Sequence, residues 1–339
     1  MQKSNNKGCL WTFLVIVVTT LGFGFLKIIG LATLFACIIA LTVSVIGVNK
    51  LLGKPSKTYT TTAIILCLLM VGGFQLINFL ISKDWTAIET DTFNTSEKMV
   101  LGSLVENEDT ISVYQSNRIW NDNYGNNYNT TLTIREQDYL QLYKHLESYT
   151  TKSTVNFWGN LYDYIDRKDT PKLDLVLAAF SEIQTTNNLN QMQFAEMVVS
   201  CIQDIPYSFV FEEDCLPPEN YEYNIRKTLE QCPDCCIGGV KFGVQNSLSF
   251  LQTLKGDCDS RTVLIYSVLK HFGYDVAILN SVFYRHSILG INLPAAGDYK
   301  AYNGKRYVLW ETTAKYFKAG ELPASFNDVT HWNVVLTSK

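Results

Sequence analysis

Gly256-Asp257-Cys258-Asp259-Ser260-Arg261 is the stretch around which the fold can be worked out. The glycine allows a tight turn, and Asp257 or Asp259 can accept hydrogen bonds from the free N–H groups of a following helix. Apolar residues then recur as far as Phe272, which predicts a helix over 259–272 that is anchored in a core. The Cys258 thiol would therefore lie at the positive end of that helix, where the thiolate form is favoured. The two flanking aspartates oppose this effect.

Charge is distributed very unevenly along the 339 residues. Residues 1–84 contain seven Lys, no Arg, no Glu and a single acid, Asp84. The rest of the chain holds 21 of the 28 basic residues and 31 of the 32 acidic ones, a net charge of −10. A nucleic-acid-binding protein usually presents a basic face, so this distribution argues against nucleic acid as a partner.

The N-terminal 84 residues have the composition of a membrane domain. From Leu10 to Val48 the only charge is Lys27, and a helix of that length would extend roughly 58 Å, about twice the thickness of a hydrocarbon core. The run therefore predicts two crossings, with a turn around Gly22–Gly30. A third apolar run, Thr61–Ile81, is long enough to cross alone. A cleaved signal peptide over Leu10–Thr20 is the alternative, although no small-residue cleavage site follows it.

The lysines predict the orientation of these spans. Lys3 and Lys7 precede the first span, and Lys50, Lys54 and Lys57 lie between the second and third. Positive loops face the cytoplasm, so three crossings would place everything after residue 84 outside it, in the periplasm or the extracellular space. The sequence thus predicts a membrane domain over 1–84, an extracytoplasmic connector over 85–190 and a C-terminal domain over 191–339.

The connector and the start of the last domain alternate between strand and helix patterns. Thr110–Trp120 and Tyr128–Ile134 read as strands, and the polar cluster between them is typical of a turn, so a β-hairpin is expected. Apolar residues at three- and four-residue intervals then predict three helices. These are Glu136–Glu147, Pro171–Ile183 and Gln191–Gln203. The predicted fold class is α+β.

Six of the nine cysteines follow the membrane segment. Cys215, Cys232, Cys235 and Cys236 form a cluster with a single Cys-x-x-Cys knuckle, whereas a four-thiolate zinc site needs two. Two disulfides are the simpler interpretation in an oxidising compartment, and metal binding or reduced thiols remain alternatives. Cys201 falls in an apolar helical pattern, which predicts that its thiol is buried. Cys258 is then left as an odd thiol that requires a reason.

A thiol nucleophile needs a base and a group that orients it. His271 would lie roughly 20 Å from Cys258 at the other end of the same helix, which excludes it. His286 begins a β-rich segment that could bring its imidazole to the helix start, and His331 remains an alternative. Glu311 follows another β-rich run and could orient the imidazole, so Cys258, His286 and Glu311 are the candidate catalytic residues.

Five motifs in this order resemble those of the transglutaminase-like superfamily, most closely its bacterial membrane or envelope members. The resemblance covers about Gln191 to Leu322. The motifs are Ile202-Gln203-Asp204-Ile205-Pro206-Tyr207, Gly256-Asp257-Cys258-Asp259-Ser260, Gly273-Tyr274-Asp275-Val276, His286-Ser287-Ile288-Leu289-Gly290-Ile291, and Glu311-Thr312-Thr313-Ala314 with Gly320-Glu321-Leu322-Pro323.

This resemblance implies a papain-related fold, in which the helix bearing Cys258 packs on an antiparallel sheet. It implies that Cys258 attacks a peptide or protein amide, that His286 transfers the proton and that Glu311 fixes the imidazole. No cofactor or metal is expected. A hydrolase or acyltransferase is one expected function, and a catalytically inactive binding or assembly module of the cell envelope is the alternative. The Cys258 N–H is the first oxyanion donor, and Gln252 is a weak candidate for the second.

Overall fold

The computed structural model describes residues 5–28, 33–63, 65–67, 99–151 and 155–339. The chain forms two compact units, Met1–Trp85 and Thr86–Lys339. We describe each unit by itself.

The described part of the N-terminal unit is helical. Helix α1 spans Asn5–Ile28 and α2 spans Thr33–Leu52. The two pack antiparallel, since Trp11 near the start of α1 donates its indole N–H to Asn49 near the end of α2 at 3.1 Å. Gly22, Gly24 and Lys27 of the predicted turn lie within α1, so the prediction is wrong for these residues, and Gly30 lies outside the described residues.

Among the described residues, one helix has the length and composition that a membrane crossing needs. Within α2, Phe35–Leu52 is long and apolar enough to cross a bilayer, and α1 contains a shorter apolar helix, Leu10–Leu26. One such helix near the N-terminus is weak support for membrane association, because a signal sequence meets the same criterion. The third predicted span, Thr61–Ile81, lies outside the described residues apart from 61–63 and 65–67.

The larger unit is an α+β fold. Its described helices are α3 (Glu136–Ser148), α4 (Phe157–Asp169), α5 (Asp174–Thr186), α6 (Gln191–Gln203), α7 (Tyr223–Gln231), α8 (Ser247–Thr253) and α9 (Cys258–His271). Its described strands are β1 (Val100–Glu106), β2 (Asp109–Asn121), β3 (Asn127–Arg135), β4 (Phe209–Val210), β5 (Cys236–Ile237), β6 (Val276–Ser281), β7 (His286–Ile291), β8 (Tyr299–Tyr302), β9 (Lys305–Trp310) and β10 (Asn333–Thr337).

The strands form three sheets. The predicted hairpin is present as β2–β3, which β1 extends to a three-stranded antiparallel sheet. The main sheet has five antiparallel strands in the order β10-β6-β7-β9-β8. A short parallel pair, β4–β5, completes the set. In the main sheet β7 lies between β6 and β9, so the start of β7 and the end of β9 come close together.

Helix α9, which we call the cysteine helix, lies at the centre of the unit. It packs against α4, α6 and α8 on one side and against β6 and β7 of the main sheet on the other. Its residues from Ser260 to Leu269 are buried, as expected for a helix that is surrounded by other elements. One hydrophobic core runs from Met99 to Trp310 and crosses the sequence-predicted boundary at residues 190 and 191.

Candidate active site

The cysteine helix begins at Cys258 itself. Asp257 is its N-cap, and Oδ1 of Asp257 accepts hydrogen bonds from the Ser260 N–H at 3.0 Å and the Ser260 hydroxyl at 2.8 Å. A Cβ at Gly256 would lie 2.4 Å from the ring of Phe250, so the turn needs glycine for its close packing. One of the two flanking aspartates is therefore engaged in starting the helix.

Arg261, one turn into the cysteine helix, fixes the loop that precedes the cysteine. This fully buried guanidinium donates to the Gly256 carbonyl at 3.1 Å. It also donates to the carbonyls of Ile202 at 2.7 Å and Ile205 at 2.6 Å. The segment after α6 is thus held against the turn that carries Cys258.

The structure joins His286 and Glu311 directly. His286 is the first residue of β7, Glu311 follows the last residue of β9, and these strands are neighbours in the sheet. His286 Nε2 lies 2.9 Å from Glu311 Oε2, and both side chains are nearly enclosed, at 9% and 1% exposure. The imidazole also stacks on the Phe326 ring at 4.9 Å between centroids. With Nε2 engaged by the carboxylate, Nδ1 is the ring nitrogen left for a thiol.

The other oxygen of Glu311 is held by three donors. Oε1 accepts from the Thr312 N–H at 2.9 Å, the Thr313 N–H at 2.7 Å and the Thr313 hydroxyl at 2.6 Å. Behind the carboxylate, Gln203 of the first resemblance motif donates to the Glu311 carbonyl at 2.7 Å. The Glu311 side chain is therefore locked in the orientation that presents Oε2 to the imidazole.

Cys258 contacts Ser287, the residue that follows His286. The backbone N–H of Ser287 hydrogen-bonds the Cys258 thiol, which is 6% exposed. Among the described residues, no hydrogen bond joins the thiol to the His286 ring. Contacts of catalytic groups are often loose without substrate, so the missing hydrogen bond does not exclude His286 as the base.

The pKa directions define the resting protonation state. Burial raises the pKa of the Cys258 thiol well above its usual range, and the charges of Asp259 and Asp257 add to the effect. Burial and the neighbouring Asp259 raise the pKa of Asp257 to about 7. Burial alone would lower the pKa of His286, but the charge and hydrogen bond of Glu311 outweigh it and raise that pKa.

Glu311 behaves in the opposite way. Burial would raise the pKa of its carboxyl, but His286 and Thr313 outweigh burial and lower it. The site thus rests as a neutral thiol beside an imidazole whose conjugate acid is stabilised. Such an imidazole can take up the thiol proton during attack as a general base.

The second flanking aspartate, Asp259, belongs to a polar network that the sequence did not reveal. Its Oδ1 accepts from the Tyr162 hydroxyl at 2.5 Å and from the Ser287 hydroxyl. Asn280 completes the network, with its Nδ2 2.9 Å from the Tyr162 oxygen and its Oδ1 3.0 Å from Ser287 Oγ. These contacts tie the start of the cysteine helix to α4, β6 and β7. No sequence signal links Tyr162 to residues about a hundred positions away.

The other candidates from the sequence form no hydrogen bond with Cys258, His286 or Glu311 among the residues that the structure describes. His331, the alternative base, stacks on Phe283 at 4.1 Å and lies 3.7 Å from Asp328. His271 ends the cysteine helix. Gln252 is on α8, and no hydrogen bond of its amide is found in the described part of the chain.

The cysteine cluster forms two disulfides, Cys215–Cys236 and Cys232–Cys235, which confirms the predicted disulfides and settles their pairing. Cys201 and Cys258 are free, buried thiols. Over the described residues, no group of three or more His, Cys, Asp or Glu side chains could hold a metal ion.

Comparison of this chain with protein-family models, curated proteins and solved structures finds no match.

Proposed function

We propose that this chain is a membrane-anchored cysteine enzyme of transglutaminase type that hydrolyses or transfers the amides of peptides or proteins outside the cytoplasm. The observation that carries the proposal is the His286–Glu311 pair at 2.9 Å, next to the helix start that holds the free Cys258 thiol. A nucleophile, a base and a group that orients the base together form the minimum for covalent acyl transfer.

The reaction would proceed in two halves. Cys258 gives its proton to His286 as its sulfur bonds to the carbonyl carbon, and the carbonyl π pair moves to oxygen. The tetrahedral intermediate collapses, the C–N bond breaks, and the imidazolium protonates the leaving amine. Water or another amine then attacks the thioester, with His286 taking its proton, and the S–C bond breaks to restore the thiol. Hydrolysis is favoured over transfer because bulk water surrounds an extracytoplasmic domain.

The membrane part of the proposal rests on the N-terminal 84 residues. The apolar helix Phe35–Leu52 supports a membrane anchor. We propose that it is one of three crossings, the others being residues 10–28 and 61–81, with Lys3, Lys7 and the lysines of 50–57 in the cytoplasm. Under this topology the disulfides Cys215–Cys236 and Cys232–Cys235 lie in an oxidising compartment, where such bonds persist.

A catalytically inactive binding or assembly module of the cell envelope is the second candidate. It is favoured by the Cys258 thiol itself, which is buried and has a pKa well above its usual range. A thiol in that state is a poor nucleophile unless the imidazole removes its proton.

Acylation by p-nitrophenyl acetate separates the two functions. In the full chain in detergent micelles, the enzyme should release a stoichiometric burst of p-nitrophenolate and carry an acetyl thioester on Cys258 that mass spectrometry detects. Cys258→Ala should lose the burst. Cys201→Ala, which removes the other described buried thiol of the larger unit, should retain it. A wild-type chain without burst or acetylated Cys258 would favour the inactive module.

A further inference from the structure

The contacts of the described residues so far assign no second donor for the oxyanion of the tetrahedral intermediate. The backbone N–H of Cys258, the first residue of its helix, has no acceptor within the helix and provides one donor. Acyl-transfer sites usually provide two, aimed at the position where the charge develops. A second donor should lie beside Cys258, be held rigidly and have no other partner.

Tyr207 lies beside the turn that carries the cysteine. Its backbone pairs with Gly256 in a parallel β-bridge, and the N–H of the next residue, Ser208, donates to the Gly256 carbonyl at 3.1 Å. Arg261 holds both sides of this junction through the carbonyls of Ile205 and Gly256. The Tyr207 backbone is therefore held beside Gly256, two residues before the nucleophile Cys258.

The ring of Tyr207 is packed while its hydroxyl is uncommitted. The ring makes an edge contact with Phe209 at 5.4 Å between centroids, and the Arg261 guanidinium lies 5.9 Å from its centroid. The hydroxyl has no hydrogen-bond partner in the described parts of the chain, although the side chain is only partly exposed. A phenol whose ring is packed and whose hydroxyl has no protein partner is free to donate to a ligand or to a reaction intermediate.

The Tyr207 hydroxyl interacts electrostatically with the Cys258 thiol. Burial raises the pKa of Tyr207 well above its usual range, and the charge on Cys258 is the next largest cause. The phenol thus stays protonated at any pH at which the enzyme would work, so it can donate. It would also interact with a negative charge that forms next to Cys258.

We propose that Tyr207 donates its hydroxyl hydrogen bond to the oxyanion that forms when Cys258 attacks a carbonyl, as the partner of the Cys258 backbone N–H. This inference rests on the proposed function. When the S–C bond forms, the carbonyl π pair moves to oxygen, and the two donors stabilise that charge without a proton leaving either of them. When the leaving group departs, the charge returns to the carbonyl and the hydroxyl is released.

Tyr207→Phe tests this role because only one of two reactions of Cys258 forms an oxyanion. Acylation by p-nitrophenyl acetate passes through an oxyanion, whereas alkylation by iodoacetamide displaces iodide at a saturated carbon and forms none. We expect the acylation rate constant to fall about 10²-fold, the usual effect of removing one oxyanion donor. The alkylation rate at pH 9 should change less than twofold. Tyr223→Phe, at an exposed tyrosine on α7, is the matched control.

Two outcomes would overturn the inference about Tyr207 itself. An acylation rate that Tyr207→Phe leaves unchanged would remove the hydroxyl from the reaction. Equal losses of acylation and alkylation would mean that Tyr207 acts on the thiol or on folding, which the thermal unfolding midpoint would separate. A wild-type chain that alkylates but never acylates would instead contradict the proposed function, whatever the variant does.

Discussion

Glu311→Gln is expected to slow the acylation of Cys258 by about 10⁴-fold. Three donors surround Oε1 of Glu311, namely the Thr312 N–H, the Thr313 N–H and the Thr313 hydroxyl. The amide oxygen of a glutamine would remain on these donors, so its NH₂ group would face His286 Nε2. That nitrogen would then have to accept, which places the ring proton on Nδ1. A histidine in this tautomer cannot take a proton from the thiol.

Stopped-flow release of p-nitrophenolate from the full chain in detergent would measure this effect. Glu321→Gln is the matched control, because Glu321 is exposed and its carboxylate accepts from the nearby Lys318 N–H at 3.3 Å. The control should keep the wild-type rate. If Glu311→Gln also stayed within a few-fold of wild type while folded, Glu311 would not be setting the tautomer of His286.

Arg261→Met is expected to cause the largest loss of stability, about 3–5 kcal/mol in the free energy of unfolding. The guanidinium is fully buried and donates to the Gly256, Ile202 and Ile205 carbonyls. Methionine fills a similar volume but leaves these acceptors without a charged donor, and Asp257 loses a neighbouring positive charge. For a unit of this size, the thermal midpoint should fall by roughly 10 °C.

Thermal unfolding of the full chain, followed by tryptophan fluorescence at a fixed detergent concentration, is the appropriate measurement. Arg226→Met is the control, since Arg226 is exposed on α7 and lies 3.8 Å from Glu230 in a surface pair. Such a pair contributes less than about 1 kcal/mol. Equal midpoints for the two variants would show that Arg261 does not hold the turn before Cys258.

The sequence predicts well those helices whose ends are set by residues next to them in the chain. Helix α6 begins and ends where the periodicity predicts, because Asn190 and Gln193 form a capping box at its start. Helix α5 begins three residues after the predicted Pro171, because residues 170–172 form a separate 3₁₀ turn. Helix α4 was not predicted, since Gly159 and Asn160 interrupt its apolar pattern near the start.

The candidate site likewise has features that the sequence predicts and features that it does not. The resemblance to the transglutaminase-like superfamily implies that Cys258, His286 and Glu311 associate, and the structure places His286 against Glu311. The Asx cap of the cysteine helix is also visible in the sequence. Tyr162 could not be found that way, because its position depends on packing between elements that are far apart in sequence. Tyr207 ends the first motif of the resemblance, but the motif alone gives it no role.

The pH dependence of Cys258 acylation in wild type and His286→Ala tests most directly whether His286 is the base. The pKa of His286 is raised above its usual value near 6.5, and an imidazolium cannot accept a proton. The wild-type rate should therefore fall as pH decreases through that raised pKa. His286→Ala should be slower by about 10²–10⁴-fold at pH 7 and recover only in alkali, where the thiol ionises unaided. Superimposable profiles for the two proteins between pH 5 and 9 would contradict the assignment of His286 and with it the proposed enzyme.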